Sequence, residues 1–315
     1  MSLPKVIFHS VLAAFVAIIG DLQCDTIRAA SPSRVPASVA PTASAKPATP
    51  ATPTASAKSA RPATSRRPIV GSPQTLRLPN NVLLEMLPVA AGSFTMGSPS
   101  GESEREPLDK GSEAQRRVNI TKPYWLGKYE VTQAQWRAVM NRTPSAFPGA
   151  QRPVESVKWN EAMDFCKKLT ERERAAGRLP AGYRYTLPTE AQWEYACRAG
   201  AAGAYGGSGN LNEMGWYAEN SGSKTHVVGG KAPNAWGFYD MHGNVWEWCS
   251  DRYDATPTGG NDPLGPPTGA YRVNRGGGWA DGAQYCRSAN RAWGQSGGRN
   301  SFFGFRVALS SVGAK

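Results

Sequence analysis

Apolar positions divide the chain into three parts. Lys5 is followed by a stretch from Val6 to Gly20 that is apolar apart from His9 and Ser10. A basic start before a short apolar core predicts a secretory signal or signal anchor over residues 1–24. Residues 25–70 offer nothing aromatic and almost nothing apolar to bury; they hold eight Pro and twelve Ala among many Ser and Thr. That composition predicts a semi-extended tether over 25–75, with no helix or sheet. From Leu76 onward apolar residues return, and all ten Trp lie in this part. A folded domain is therefore expected over 76–311.

Periodicity within the domain is weak. Thr132 to Met140 reads as a helix with a Thr cap, and Asn160 to Leu169 as a second with Asn160 and Glu161 at its start. Thr189 to Cys197 reads as a third, with Pro188 before the cap. Trp125 to Tyr129 and Gly304 to Leu309 read as strands. Turn residues dominate after Gly200. So few regular elements over so long a domain require loops pinned by buried aromatics, disulfides or ions.

Composition removes several classes. Gly 34 and Pro 25 with only 19% charged residues exclude a coiled coil or helical bundle. No apolar run in the body reaches the roughly 20 residues of a membrane span. The net charge of +12 would suggest nucleic acid, but seven bases against Asp25 alone place half of it in residues 25–70. The excess belongs to the tether, so nucleic acid is not expected as a partner. The tether's charge suits either a solvated spacer or contact with an anionic envelope surface. The chain is expected outside the cytoplasm: periplasmic, in the cell envelope or extracellular, and held by its N-terminus where the signal is retained. Cys24 is either lipidated or lost with the signal.

Four cysteines remain in the folded part: Cys166, Cys197, Cys249 and Cys286. An even count in an oxidising compartment suggests two disulfides, with three connectivities open. No C-x-x-C occurs, and three His are too few for a His-based metal centre. No G-x-S-x-G or convincing triad supports a hydrolase.

A run of motifs is more specific. Ala91-Gly92-Ser93-Phe94-Thr95-Met96-Gly97, Tyr129-Glu130-Val131-Thr132, Pro153-Val154-Glu155 and Leu187 to Arg198 come first. Gly243-Asn244-Val245-Trp246-Glu247-Trp248, Arg275-Gly276-Gly277 and Gly304-Phe305-Arg306-Val307 follow. In order and content they resemble the formylglycine-generating enzyme, or sulfatase-modifying factor, family over essentially all of residues 80–310. The resemblance implies an α+β, loop-rich fold, a large variant of the C-type lectin fold.

It also implies an activity: oxidation of a Cys in a sulfatase peptide to formylglycine with oxygen and Cu(I), the metal held by two thiolates. Soft thiolates select Cu(I). The family places that pair after its Gly-Gly motif as C-x-x-x-x-C. Aligned from Gly276-Gly277, its first Cys falls on Asp281 and its second on Cys286, and its active-site Ser falls on Gly278. Aligned from Arg287 to Arg291, neither thiol matches. Copper is therefore not expected here. The resemblance gives Cys286 a structural role instead, in a disulfide with Cys197, and leaves Cys166 with Cys249 as the second pair. The related iron-dependent sulfoxide synthases need an added helical domain and more His than this chain has.

The family's calcium site carries over better. It places side-chain ligands at Asp240 and Glu247 and backbone carbonyls at Gly243 and Val245, the hard oxygen set that Ca²⁺ takes. The competing reading has Asp240 capping a turn and Glu247 pairing with an Arg.

Finally, small and aromatic residues alternate without period from Trp279 to Phe303. Trp279, Asp281, Tyr285, Trp293, Gln295, Asn300, Phe302 and Phe303 are bracketed by Arg287, Arg291 and Gly304-Phe305-Arg306-Val307. Rigidly mounted Trp, Tyr and Asn give large contact area at low entropy cost. The arrangement resembles the ligand face of lectin-fold receptors diversified by retroelements. Two functions are expected from this chain: a calcium-stabilised module binding a protein or surface ligand through 279–303, or an oxidase of the family with an altered centre.

Overall fold

The computed structural model describes residues 71–105 and 112–311. The signal, the tether up to residue 70 and Cys24 lie outside the described residues. The domain opens with β1 (Gln74–Arg77), a 3-10 turn, β2 (Leu83–Val89), β3 (Gly92–Met96), β4 (Arg116–Ile120) and β5 (Tyr124–Gly127). Then come α1 (Gln133–Met140), α2 (Trp159–Ala175), β6 (Tyr183–Thr186), α3 (Glu190–Arg198) and the single turn α4 (Leu211–Met214). The rest is β7 (Trp246–Arg252), β8 (Gly260–Asn261), β9 (Tyr271–Arg275), β10 (Ala292–Gln295), β11 (Phe303–Gly304) and β12 (Ala308–Ser311). This is the loop-rich α+β architecture that the motifs implied.

All three expected helices form, two of them at the expected caps; the second is capped at Lys158, two residues before Asn160. Thr132 and Thr189 each accept from the backbone N–H three residues on, and Gln135 and Gln192 return the bond. These reciprocal capping boxes satisfy donors that the first helical turn leaves open. The second helix runs past Leu169 to Ala175, because Glu173 there is buried and paired with Arg172 (2.8 Å) and Arg178 (2.6 Å). The strand expected over 304–309 is split into β11 and β12. Between them Arg306 turns inward and is fully buried.

Three sheets result. Their orders are β1-β2-β5-β12-β6, β10-β9-β7-β11 and β3-β4-β8. β12 lies inside the first, antiparallel to both β5 and β6. One core, with Trp125, Trp136, Phe165, Trp248 and Phe305, fills the space beneath α1 and α2. A second, with Leu126, Trp193, Phe238 and Val273, lies under α3.

The expected disulfides are absent; all four cysteines are buried free thiols. The partners of each expected pair belong to different apolar clusters, which gives the physical reason. Cys166 packs in the first core, Cys197 and Cys249 in the second, and Cys286 in a satellite with Leu211 and Tyr217. Cys197 Sγ faces Ser288 Oγ (3.6 Å) and His242 Nε2 (3.8 Å) rather than Cys286.

What pins the loops is charge. Arg275, Arg287 and Arg306 have no exposed surface, and Arg198 and Arg291 have little. Each meets a buried carboxylate: Arg198 and Arg275 share Glu194, Arg287 takes Glu113 (2.7 Å), Arg291 takes Glu190 (2.6 Å) and Arg306 takes Glu247 (2.6 Å). Their remaining donors reach loop carbonyls, such as Arg275 to Ser288 (3.0 Å), Arg291 to Ser112 (3.0 Å) and Arg198 to Gly97 (2.8 Å). Guanidinium pairs, bidentate for Arg287, Arg291 and Arg306, thus tie loops and α3 to the sheets. Burial alone would raise the Glu190 carboxyl, but Arg291 and then Arg275 outweigh it and hold it below the usual range.

Candidate functional site

The turn after β9 carries the positions that resemble an oxidase centre. Gly276 and Gly277 both have positive φ, 99° and 71°. At Gly277 a Cβ would stand 2.6 Å from Cys286 Sγ, so the glycine is needed both for its backbone conformation and for the close approach. Gly278, Trp279, Ala280 and Asp281 make a turn closed by Asp281 N–H to the Gly278 carbonyl (3.1 Å).

Asp281 and Cys286 have separate surroundings. Asp281 Oδ2 accepts from the Trp246 indole N–H (2.8 Å). Burial pushes its carboxyl up to about 6 against the donations of Trp246 and Gly278. Cys286 lies wholly buried in the 3-10 turn Ala283–Cys286, against Leu211, Tyr217 and Tyr205. Burial, and then the negative charges of Asp281, Glu219 and Glu104, push its thiol well above the ordinary range. The donor set is thus one protonated thiol and one carboxylate held by an indole. It does not fit Cu(I), which needs two soft thiolates.

The residues expected to form one C-terminal face divide into two groups. Trp279 stacks on Phe302 (5.1 Å between ring centroids, 18°) and receives the edge of Phe147 (5.1 Å, 77°). Asn300 supports this group by accepting from Phe302 N–H (2.9 Å). Trp293 and Gln295 lie on β10, where Trp293 is 48% exposed and packs on Tyr271 (4.3 Å). Phe303 turns inward onto Trp248 (4.8 Å) and belongs to the core, while Tyr285 lies half-buried in the 3-10 turn. Phe147 was not expected. It comes from a Pro-flanked loop more than a hundred positions earlier, and nothing in its local sequence marks it.

A second group of interest surrounds Asp240. Glu247 has both oxygens on Arg306 (2.6 Å each), and Trp193 Nε1 adds a bond of 2.9 Å. Asp240 has a positive φ of 54°; its Oδ2 accepts from Gly229 N–H (2.7 Å), and its Oδ1 is buried without a partner. Glu130, part of a recognised motif but not expected as a site residue, accepts from Val245 N–H (3.1 Å) and from Asn244 Nδ2 (2.7 Å). Burial and the charges of Asp240 and Glu247 push the Glu130 carboxyl well up, and burial carries Asp240 to about 6. Three carboxylates thus share one guanidinium. Among the described residues no three His, Cys, Asp or Glu side chains converge to hold a metal. The fit to Ca²⁺ is therefore partial: Asp240 Oδ1 is the unclaimed hard oxygen, whereas Glu247 is already committed to Arg306.

Two cavities of about 500 Å³ lie elsewhere. One has Glu190, Asp251 and Arg291 on its floor, and Asp251 is already saturated by Glu190 N–H (2.9 Å), Ser250 Oγ (3.0 Å) and Gly265 N–H (3.0 Å). The other lies between Asn80, Tyr129 and Gln151.

The model of the sulfatase-modifying factor enzyme 1-like domain matches residues 73–311. The chain belongs to this family. It is 32% identical over 217 residues to the chaperone protein LppX of Paenibacillus barcinonensis, covering 54% of this chain and 74% of that one. It is 35% identical over 209 residues to the formylglycine-generating enzyme of Streptomyces coelicolor, covering 59% and 60%. Among solved structures, Treponema denticola variable protein 1 superposes with a TM-score of 0.67 at 32% identity, over 75% of this chain and 98% of that one. The family thus includes enzymes and proteins named for other roles.

Proposed function

We propose that this sulfatase-modifying-factor domain is an exported binding module that works through its C-terminal face and lacks the family's copper oxidase chemistry. The observation that carries the reading is the single thiol: Cys286 is sealed beneath Gly277, and an aspartate stands where the family has its other cysteine. The half-exposed cluster of Phe147, Trp279 and Phe302 supplies rigid contact area. Likeness to Treponema denticola variable protein 1 supports the same reading. The basic N-terminal segment serves in this reading as a tether, and the partner is a protein or surface ligand. The other reading, an oxidase acting on a protein Cys, draws on the 35% identity to a formylglycine-generating enzyme.

One assay separates them. The reduced protein is incubated with Cu(I), oxygen and a C-x-P-x-R peptide, and the peptide mass is followed. No aldehyde is expected; multiple turnover would make the chain an oxidase and end the module reading.

Calcium is part of the proposal. Asp240, with the Gly243 and Val245 carbonyls, is the seat we assign it, and the excess of carboxylates over Arg306 is the reason. A chelator is expected to lower the melting temperature, and added Ca²⁺ to restore it by mass action. Superimposable melts with and without chelator would remove the ion from the account.

A further inference from the structure

We infer that Asp281 and the aromatic side chains beside it form a seat for an organic cation, an alkylammonium or guanidinium group carried by the ligand. The inference rests on the binding reading above and adds the ligand's chemical class. Its starting point is an unbalanced charge. Glu113, Glu190, Glu194 and Glu247 each meet an arginine, and Asp251 has three donors. Asp281 is half-buried and takes part in no ion pair among the described residues. The Trp246 indole N–H serves Oδ2 and the Gly278 backbone N–H adds to it, but both donors are neutral. A half-buried carboxylate with neutral donors and no cationic partner weakens the fold, and a cation supplied from outside would relieve it.

The surroundings select the kind of cation. Trp246 touches the carboxylate, and Trp279 projects from the same turn. The Phe302 carbonyl accepts from the Trp246 backbone N–H (2.8 Å), so the residue that stacks on Trp279 is tied to the residue whose indole holds Asp281. Aromatic faces next to a carboxylate favour a weakly hydrated cation. Gly278 keeps the approach open, because a Cβ there would stand 3.2 Å from Asp281 Oδ2 and 3.4 Å from Trp246 Cδ1. The adjoining loop reinforces the sign: Ala218 N–H donates to the Asp281 carbonyl (3.0 Å), and its neighbour Glu219 is exposed. Phosphate or carboxylate ligands are repelled here. A metal ion lacks the further oxygen ligands it needs among the described side chains.

The test titrates the full chain with arginine amide and with its neutral isostere citrulline amide. Tryptophan fluorescence and backbone amide NMR over residues 244–246, 278–281 and 300–303 are followed. A saturable response to arginine amide is expected, about ten-fold weaker or more for citrulline amide and for Asp281→Asn. Asparagine still accepts from the Trp246 indole, and circular dichroism checks that the variant is folded. Trp279→Ala is expected to weaken the response through loss of the aromatic face. Equal responses to the two amides, or an undiminished response in Asp281→Asn, overturns the inference. The peptide-oxidation assay fails separately: aldehyde formation with intact arginine binding sinks the module reading alone, and no aldehyde with no arginine response sinks the cation seat alone.

Discussion

Glu194→Leu is expected to lower the melting temperature by about 10 °C or more, from a loss of about 3–5 kcal/mol for breaking a buried ion pair. Glu194 is fully buried on α3 and accepts from Arg198 Nε (2.8 Å), from Arg275 and from Gly97 N–H (2.8 Å). Leucine fills the space but leaves two guanidinium groups out of water. Arg275 keeps its loop carbonyls, but its nearest remaining carboxylate is Glu190 at 3.6 Å. The comparison that tests the cause is Glu194→Leu with Arg275→Met. Apolar replacement of both partners is expected to recover part of the loss, since a buried pair costs most when half of it is removed. A double variant no more stable than the single one, in thermal melts at one pH, would show that the glutamate acts through packing instead.

Asp281→Asn is expected to act in the opposite direction and stabilise the domain at neutral pH. The sign follows from linkage. Burial raises the folded carboxyl from 3.8 to about 6, so the native state binds the proton more tightly than the unfolded chain. Stability is then lost as pH rises from about 4 through about 6, and the full penalty is present above that. Two units correspond to roughly 3 kcal/mol, which partial exposure reduces to about 1–3 kcal/mol. The variant's advantage in chemical denaturation is expected to be full at pH 7 and to vanish near pH 4. A variant less stable than the parent at pH 7 would mean that the aspartate holds the turn together. Stability given up at one position is the usual mark of a residue kept for what it contacts.

Local signals in the sequence read well where they are self-contained. Thr132 and Thr189 announced α1 and α3, because a cap and its return partner lie within one turn. The network of four glutamates and five arginines was only half visible. Glu190 and Glu194 stand four apart on one helix face, but their partners Arg275 and Arg291 come from eighty to a hundred positions away. Thr170 to Ala175 gave no apolar period, because Glu173 is buried by pairing and not by hydrophobicity. The cysteines misled for a related reason. An even count points to disulfides, but these thiols are spent as small apolar groups, and the expected partners sit in separate clusters. Of the expected ligand face, the turn at Trp279 and Asp281 was legible from its motif. Phe147 was not, since only the tertiary fold brings its loop to Trp279.

The position of β12 inside the five-stranded sheet has a consequence for biosynthesis. Residues Ala308–Ser311 separate β5 from β6, so that sheet remains two unjoined pieces until position 311 has cleared the ribosomal tunnel. Premature stop codons upstream of Ala308 should therefore leave β5 and β6 without the strand that joins them.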